Sequence, residues 1–204
     1  MLRFSNAWLI PSGVAASLAI IVTSISILLH LKNYRKPAIQ RYVVRILFMI
    51  HIFAISSFFS LYIPALAPYL DAIRECYEAF TVYCFFDLLI AFLGGERAVL
   101  IMLYSRPPIP YLFPVSLWQK KMDLGDPYTF LRIKRGVMQF VFVKPICAST
   151  VLLLNALGYY QEGELGNGYA YVAITVIYNI SYSWCLWCLS MFFVACKHDL
   201  ESFR

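Results

Sequence analysis

The chain carries little charge. Only 14% of its residues are Asp, Glu, Lys or Arg, against 61% that are hydrophobic, the composition of a membrane protein. It also lacks the short motifs that carry covalent chemistry. There is no HExxH, no GxSxG and no paired-aspartate protease motif, so no catalytic residue is expected and the chain reads as a non-enzyme. Its six cysteines give neither a disulfide framework nor a metal set. Cys185 and Cys188 form a C-x-x-C inside an apolar stretch, with no second Cys or His pair to complete a site, and read as packing residues. No metal and no cofactor is expected. There is no internal repeat to support an inverted-repeat transporter, and no cleavable signal, because the first apolar run continues to about Leu31.

What the chain does have is five apolar stretches, roughly Trp8–Leu31, Val43–Leu66, Cys76–Tyr104, Val137–Leu157 and Tyr169–Cys196. Each meets the ~20 residues that an α-helix needs to cross the hydrocarbon core. The loops between them alternate in charge. The first holds Lys32, Arg35, Lys36, Arg41 and Arg45 without an acid; the second holds Asp71, Glu75 and Glu78 against Arg74. The third, Ser105–Gly136, holds Arg106, Lys120, Lys121, Arg132, Lys134 and Arg135 against Asp123 and Asp126; the fourth holds Glu162 and Glu164. Thirteen of the 17 Lys and Arg fall on one side, counting Lys197 and Arg204, and two, Arg3 and Arg74, on the other. The positive-inside rule places the N-terminus outside and the C-terminus in the cytoplasm. The net charge of +6 therefore belongs to topology and to anionic lipid, and excludes nothing but a nucleic-acid reading. The expected fold is an all-α polytopic bundle of five transmembrane helices forming one domain over residues 1–204.

Ionisable residues inside spans are functional hypotheses by default. Glu96 and Lys144 sit at equal depth, ~12 Å from the cytoplasmic surface at ~1.5 Å per residue, and are expected to pair. Such a pair either fixes helix register or lines a substrate or ion cavity; the third reading is that neither holds and Lys144 snorkels to the surface. Asp87 lies further out, ~25 Å from the inner end of the third span, with Tyr83 one turn before it as a hydrogen-bond partner. His51 reads as a packing histidine. Asn179-Ile180-Ser181 is a sequon placed within a span. Cys196, beside Lys197 at the cytoplasmic end of the last span, is a candidate for palmitoylation. The third stretch is ~43 Å long as a helix, more than a ~30 Å core, and Gly94-Gly95 offers a kink. The loop Ser105–Gly136 opens with Arg106-Pro107-Pro108-Ile109-Pro110 and mixes Phe113, Trp118 and Tyr128 with its bases, which suits the lipid headgroups.

Several of these stretches together resemble one family. Gln40-Arg41-Tyr42-Val43-Val44-Arg45-Ile46-Leu47, Cys76-Tyr77-Glu78-Ala79-Phe80, Phe85-Phe86-Asp87-Leu88-Leu89 and Leu93-Gly94-Gly95-Glu96 are similar to the organic solute transporter alpha-subunit family, as are Ile133-Lys134-Arg135-Gly136, Gln139-Phe140-Val141 and Val143-Lys144-Pro145. The transmembrane-protein-184 branch is the one most resembled. Two residues depart from its pattern, His51 in place of Pro and Asp87 in place of Asn. The resemblance implies a seven-span bundle, so this chain is expected to be a truncated, fungal-like member. It implies transport of organic solutes, with organic anions or steroid-like solutes as cargo and a partner subunit or second copy as companion. The alternative is a non-transporting receptor or trafficking scaffold that engages lipid or partners through its basic cytoplasmic loops. Plasma, endosomal and vacuolar membranes all fit the pattern.

Overall fold

The computed structural model describes residues 8–118, 121–159 and 169–201; the expected acidic loop with Glu162 and Glu164 lies outside the described residues. Among the described residues there are six α-helices: α1 Leu9–Lys32, α2 Pro37–Tyr62, α3 Ala67–Phe92, α4 Glu96–Tyr104, α5 Pro127–Ala156 and α6 Tyr169–Glu201. Pro37 and Pro68 stand in the first turns of α2 and α3, where the missing N–H costs nothing. Gln40 closes the first hairpin. Its amide donates to the carbonyls of Asn33 (2.7 Å) and His30 (3.2 Å) and accepts from the Lys36 N–H (2.9 Å), tying up groups that the two helix ends leave open. Asp126 caps α5 by accepting from the Tyr128 N–H at 3.0 Å.

Two expected boundaries are corrected. The stretch Cys76–Tyr104 is not one helix. It breaks at Gly94 and Gly95, whose φ angles of +92° and +95° are open to glycine and close to an L side chain. The upstream helix instead begins nine residues earlier than Cys76, at Ala67, so Asp71, Arg74, Glu75 and Glu78 are helical and not a loop. Likewise α5 starts at Pro127, and the connection is 105–126 instead of Ser105–Gly136. Gly95 has ψ 171° and nothing within 4 Å of an added Cβ. Gly95→Ala therefore strains the backbone alone and lowers stability by about 1–3 kcal/mol. An unchanged melting temperature in detergent contradicts the break.

The long helices stand in a row, α1–α2–α3–α5–α6, each antiparallel to the next. Ser24 meets His51 (2.9 Å) while Gly13 faces Phe58. Phe48 meets Tyr77 and Arg74 meets Phe53. On the other side of α3, Glu75 meets Lys144. From α5 to α6, Phe130 meets Phe192, Val137 meets Cys185 and Phe140 meets Tyr178. Phe86 packs on Phe192 with ring centroids 4.9 Å apart, which brings α3 to α6. Four helices, α1, α2, α5 and α6, are long and apolar enough to cross a membrane. α3 matches them in length, 26 residues, but carries five charged side chains.

The tightest packing is not at mid-helix. Val99, Met122, Phe130, Ile133, Val137, Cys188, Met191, Phe192 and Cys196 are buried together at one end of the bundle. There α4 and the 105–126 connection fold over α5 and α6. Arg106 donates to the Ala195 carbonyl (2.9 Å) and pairs with Asp199. Trp187 donates to the Leu112 carbonyl (3.3 Å), and a two-residue hairpin pairs Ile109 (β1, Ile109–Pro110) with Met122 (β2, Lys121–Met122). Away from this cap the helices present apolar side chains outward, such as Ile10 (74% exposed) and Val22 (62%) on α1 and Ile180 (67%) on α6. That is the surface of a helix in lipid.

One level across the row marks where cap meets lipid-facing bundle. It runs through Lys32 of α1, Arg41 and Tyr42 of α2, Asp87 of α3, Gly136 of α5 and Trp184 of α6. Basic and aromatic residues gather there, as they do at a membrane interface. From this level to their far ends α2, α3 and α5 each have 21 residues, α1 has 24 and the described part of α6 has 16, against the ~20 residues that cross a hydrocarbon layer.

Candidate functional site

Lys144 is the one Lys or Arg buried among the described residues, at 6% exposure. Its Nζ lies 3.3 Å from Oε2 of Glu75 on α3 and 3.7 Å from the ring centroid of Tyr178 on α6. An ammonium taken out of water thus meets one carboxylate and one π-face, each from a different neighbouring helix, which is how a membrane protein retains such a charge. Lys144 is two turns along α5 from Gly136, ~12 Å further from the cap. Pro145 follows it inside α5. Its ring has no N–H, so the Val141 carbonyl one turn earlier loses its helical donor.

A groove of about 520 Å³ opens beside this pair, between α3 and α5. Its walls are mostly apolar, with Tyr69, Tyr77 and Phe80 from α3 and Ala148, Ser149 and Leu152 from α5. Cys76, which lines it, and Cys147 on the opposing helix both lie within electrostatic range of Glu75 and Lys144. Glu75 is itself 39% exposed. The arrangement is a laterally open, aromatic cleft, with the ion pair next to its lining: Glu75 adjoins Cys76 in the chain and Lys144 stands one turn before Ala148. It suits a solute with an apolar body and a charged group.

The expected Glu96–Lys144 pair is corrected. Glu96 begins α4 beyond the glycine break, in the cap, where it pairs with Lys134 of α5 and is 49% exposed. It is not a buried charge. Asp87 is likewise moved. With α3 ending at Phe92, it stands five residues from the end of that helix and not in the middle of a longer one. The hydroxyls of Tyr42 and Tyr83 both lie within electrostatic range of its carboxylate. Beside it, Arg45 lies 5.6 Å from the Tyr42 ring and 6.0 Å from Phe80. This polar cluster joins α2 to α3. His51 accepts from or donates to Ser24 and stacks on Phe48 at 5.4 Å. Asn179 bonds back to Thr175 of its own helix at 2.7 Å. Among the described residues no cluster of three His, Cys, Asp or Glu is set to hold a metal ion.

Cys196 has no exposed surface and packs in the cap core with Met191 and Phe192, so acylation there requires α6 to loosen. Cys84, Cys185 and Cys188 are buried too, while Cys76 and Cys147 are partly exposed. N-ethylmaleimide on the folded protein in detergent is expected to label Cys76 and Cys147 and spare the other four. Rapid labelling of Cys196, read by mass spectrometry, contradicts its burial.

Glu75, Tyr178 and Lys134 are not singled out by the sequence. Glu75 and Lys134 fall in stretches that read as charged loops. The Pro64 and Pro68 starts, and Asp126-Pro127 as cap and first turn, are the signals that make those stretches helical.

The family described as organic solute transporter Ostalpha matches the chain over residues 8–204. The chain belongs to this family. It is 45% identical over 193 residues to vacuole membrane protein hfl11 of Schizosaccharomyces pombe, covering 94% of this chain and 45% of that protein. It is 37% identical over 209 residues to protein LAZ1 homolog 2 of Arabidopsis thaliana, covering 96% and 52%. It is 35% identical over 202 residues to vacuole membrane protein HFL1 of Saccharomyces cerevisiae, covering 95% and 45%. The chain spans about half the length of the curated relatives it matches. No solved structure matches it. This family member is a multi-pass membrane protein of all-α fold.

Proposed function

We propose that all five long helices of this Ostalpha family member cross the membrane, and that the protein carries organic solutes along the α3–α5 groove. The observation that carries this reading is the Glu75–Lys144 pair at the edge of a 520 Å³ cleft. A charge is held inside the bilayer at a cost of several kcal/mol, and its partner Glu75 is still 39% exposed. An organic anion or a steroid-like acid meets Lys144 by displacing Glu75, while its apolar body lies on Tyr69, Phe80 and Leu152. Lys144 keeps a counter-ion throughout the exchange, and the released Glu75 carboxylate, 39% exposed, turns toward water. Orientation follows the basic residues, with the cap in the cytoplasm and the N-terminus on the opposite face. The names of the fungal relatives favour a vacuolar membrane.

Uptake of a labelled steroid conjugate into liposomes that contain the purified protein tests this. Uptake above protein-free liposomes is expected, and Lys144→Met is expected to reduce it at least ten-fold in protein that still folds. Uptake equal to that of empty liposomes contradicts the reading, as does full uptake by folded Lys144→Met.

A further inference from the structure

A second concavity lies at the interface level, apart from the α3–α5 groove. It has a volume of about 260 Å³ and is walled by Tyr111, Trp118, Trp184 and Trp187, with Arg132 at its edge. Trp184 and Trp187 stack at 5.1 Å, and Tyr111 stacks on Trp187 at 6.1 Å. Arg132 also faces an adjoining hollow of about 220 Å³ that it shares with Arg135.

The charges here are left open. Of the three bases at this end of α5, Lys134 is neutralised by Glu96. Arg132 and Arg135 make no ion pair or side-chain hydrogen bond among the described residues. Both are exposed. They stand one turn or less from Gly136, where the apolar run of α5 begins, so they are at headgroup depth.

We propose that this pocket binds an anionic phospholipid of the leaflet facing the cap. The two guanidinium groups hold the phosphate, a pairing that suits their planar fork of donors. The upper part of an acyl chain lies against the tryptophan wall. A site of this size is below the ~300–1,000 Å³ of a pocket for a drug-sized solute. It fits part of a lipid anchored in the bilayer better than a whole free solute.

Tryptophan quenching by lipids with brominated chains tests the proposal. Trp8 is far from the pocket and 64% exposed, so a Trp8→Phe background leaves the three pocket tryptophans as reporters. The protein is placed in nanodiscs containing brominated phosphatidylcholine or brominated phosphatidic acid. Each arginine near a charged lipid is worth roughly five-fold, so preference for phosphatidic acid on the order of ten-fold or more is expected. Arg132→Gln with Arg135→Gln should bring it to near one. Raising salt from low to high on the unsubstituted pocket should weaken it too, which keeps the test open if the double variant folds poorly. Equal quenching by the two lipids overturns the proposal, as does a preference that survives the double substitution in folded protein. Full competition by soluble glycerol phosphate also overturns it, because the pocket would then take a free phosphate and not a lipid.

Discussion

Glu75→Gln is expected to destabilise the folded protein by about 3 kcal/mol, the lower end of the ~3–5 kcal/mol typical of breaking a buried pair. The discount reflects Glu75 being 39% exposed where Lys144 is only 7%. Removing the carboxylate leaves Lys144 with the Tyr178 ring alone, too little to hold an ammonium in lipid. Lys144→Met is expected to cost less, because the remaining Glu75, 39% exposed, keeps contact with water. The double variant should recover much of the Glu75→Gln loss, since no lone buried charge remains. The same cycle on Glu96 and Lys144 should give additive losses, as the two sit on different levels. The cycle on Glu96 and Lys134 should show coupling of ~0–1 kcal/mol, as for exposed pairs. Reversible unfolding in mixed micelles measures all three. Simple additivity for Glu75 and Lys144 would place the pair outside contact and remove the basis of the proposed site.

Gly136→Ala is the other large effect. A Cβ at Gly136 would stand 2.3 Å from the Cys188 sulfur and 3.1 Å from Trp184 Nε1. Helices in membranes gain contact through such small residues, because apolar area alone does not drive them together in lipid. The added methyl must push α6 away from α5 or turn the Cys188 and Trp184 side chains. Overpacking of this kind costs about 1–3 kcal/mol, and Gly136→Leu should prevent folding. Cys188→Ala removes the sulfur and should restore part of the loss in combination with Gly136→Ala, though the Cys188 Cβ at 3.3 Å remains tight. A Gly136→Ala protein with the parent's melting temperature would mean that the two helices are further apart than described. The separation matters beyond stability. Gln139 and Ser181 exchange two hydrogen bonds of 2.9 Å one turn further along, and Lys144 reaches Tyr178 only if that spacing holds.

The bundle was legible because its signal is length. Runs such as Trp8–Leu31 and Val137–Leu157 need no tertiary context to be read as membrane helices. The errors arise where a helix is longer than its apolar part. α3 starts among Asp71, Arg74 and Glu75, and α5 among Arg132, Lys134 and Arg135, and a charged segment beside an apolar run looks like a loop. That is why Glu75 escapes notice and why Lys144 is matched with the wrong carboxylate. Equal depth permits Glu96 and Lys144 to meet only if the third span is continuous, and two positive-φ glycines end it. The cap is the feature that the sequence hides most. Its core is assembled from α4, the 105–126 connection and the ends of α5 and α6, pieces that are apolar in patches too short to stand out.

The central claim is that α3, despite its five charged residues, crosses the same layer as its neighbours and carries Glu75 through it. Single cysteines at Ala65, Ile73 and Arg97, on the liposome-embedded protein, test it most directly. All three positions are exposed on the bare protein, so only the bilayer separates them. The account predicts that a membrane-impermeant maleimide labels Ala65→Cys from one side only, labels Arg97→Cys from the opposite side only, and leaves Ile73→Cys unlabelled from both. Labelling of Ala65→Cys and Arg97→Cys from the same side would show α3 lying on one surface of the membrane, and would contradict the account.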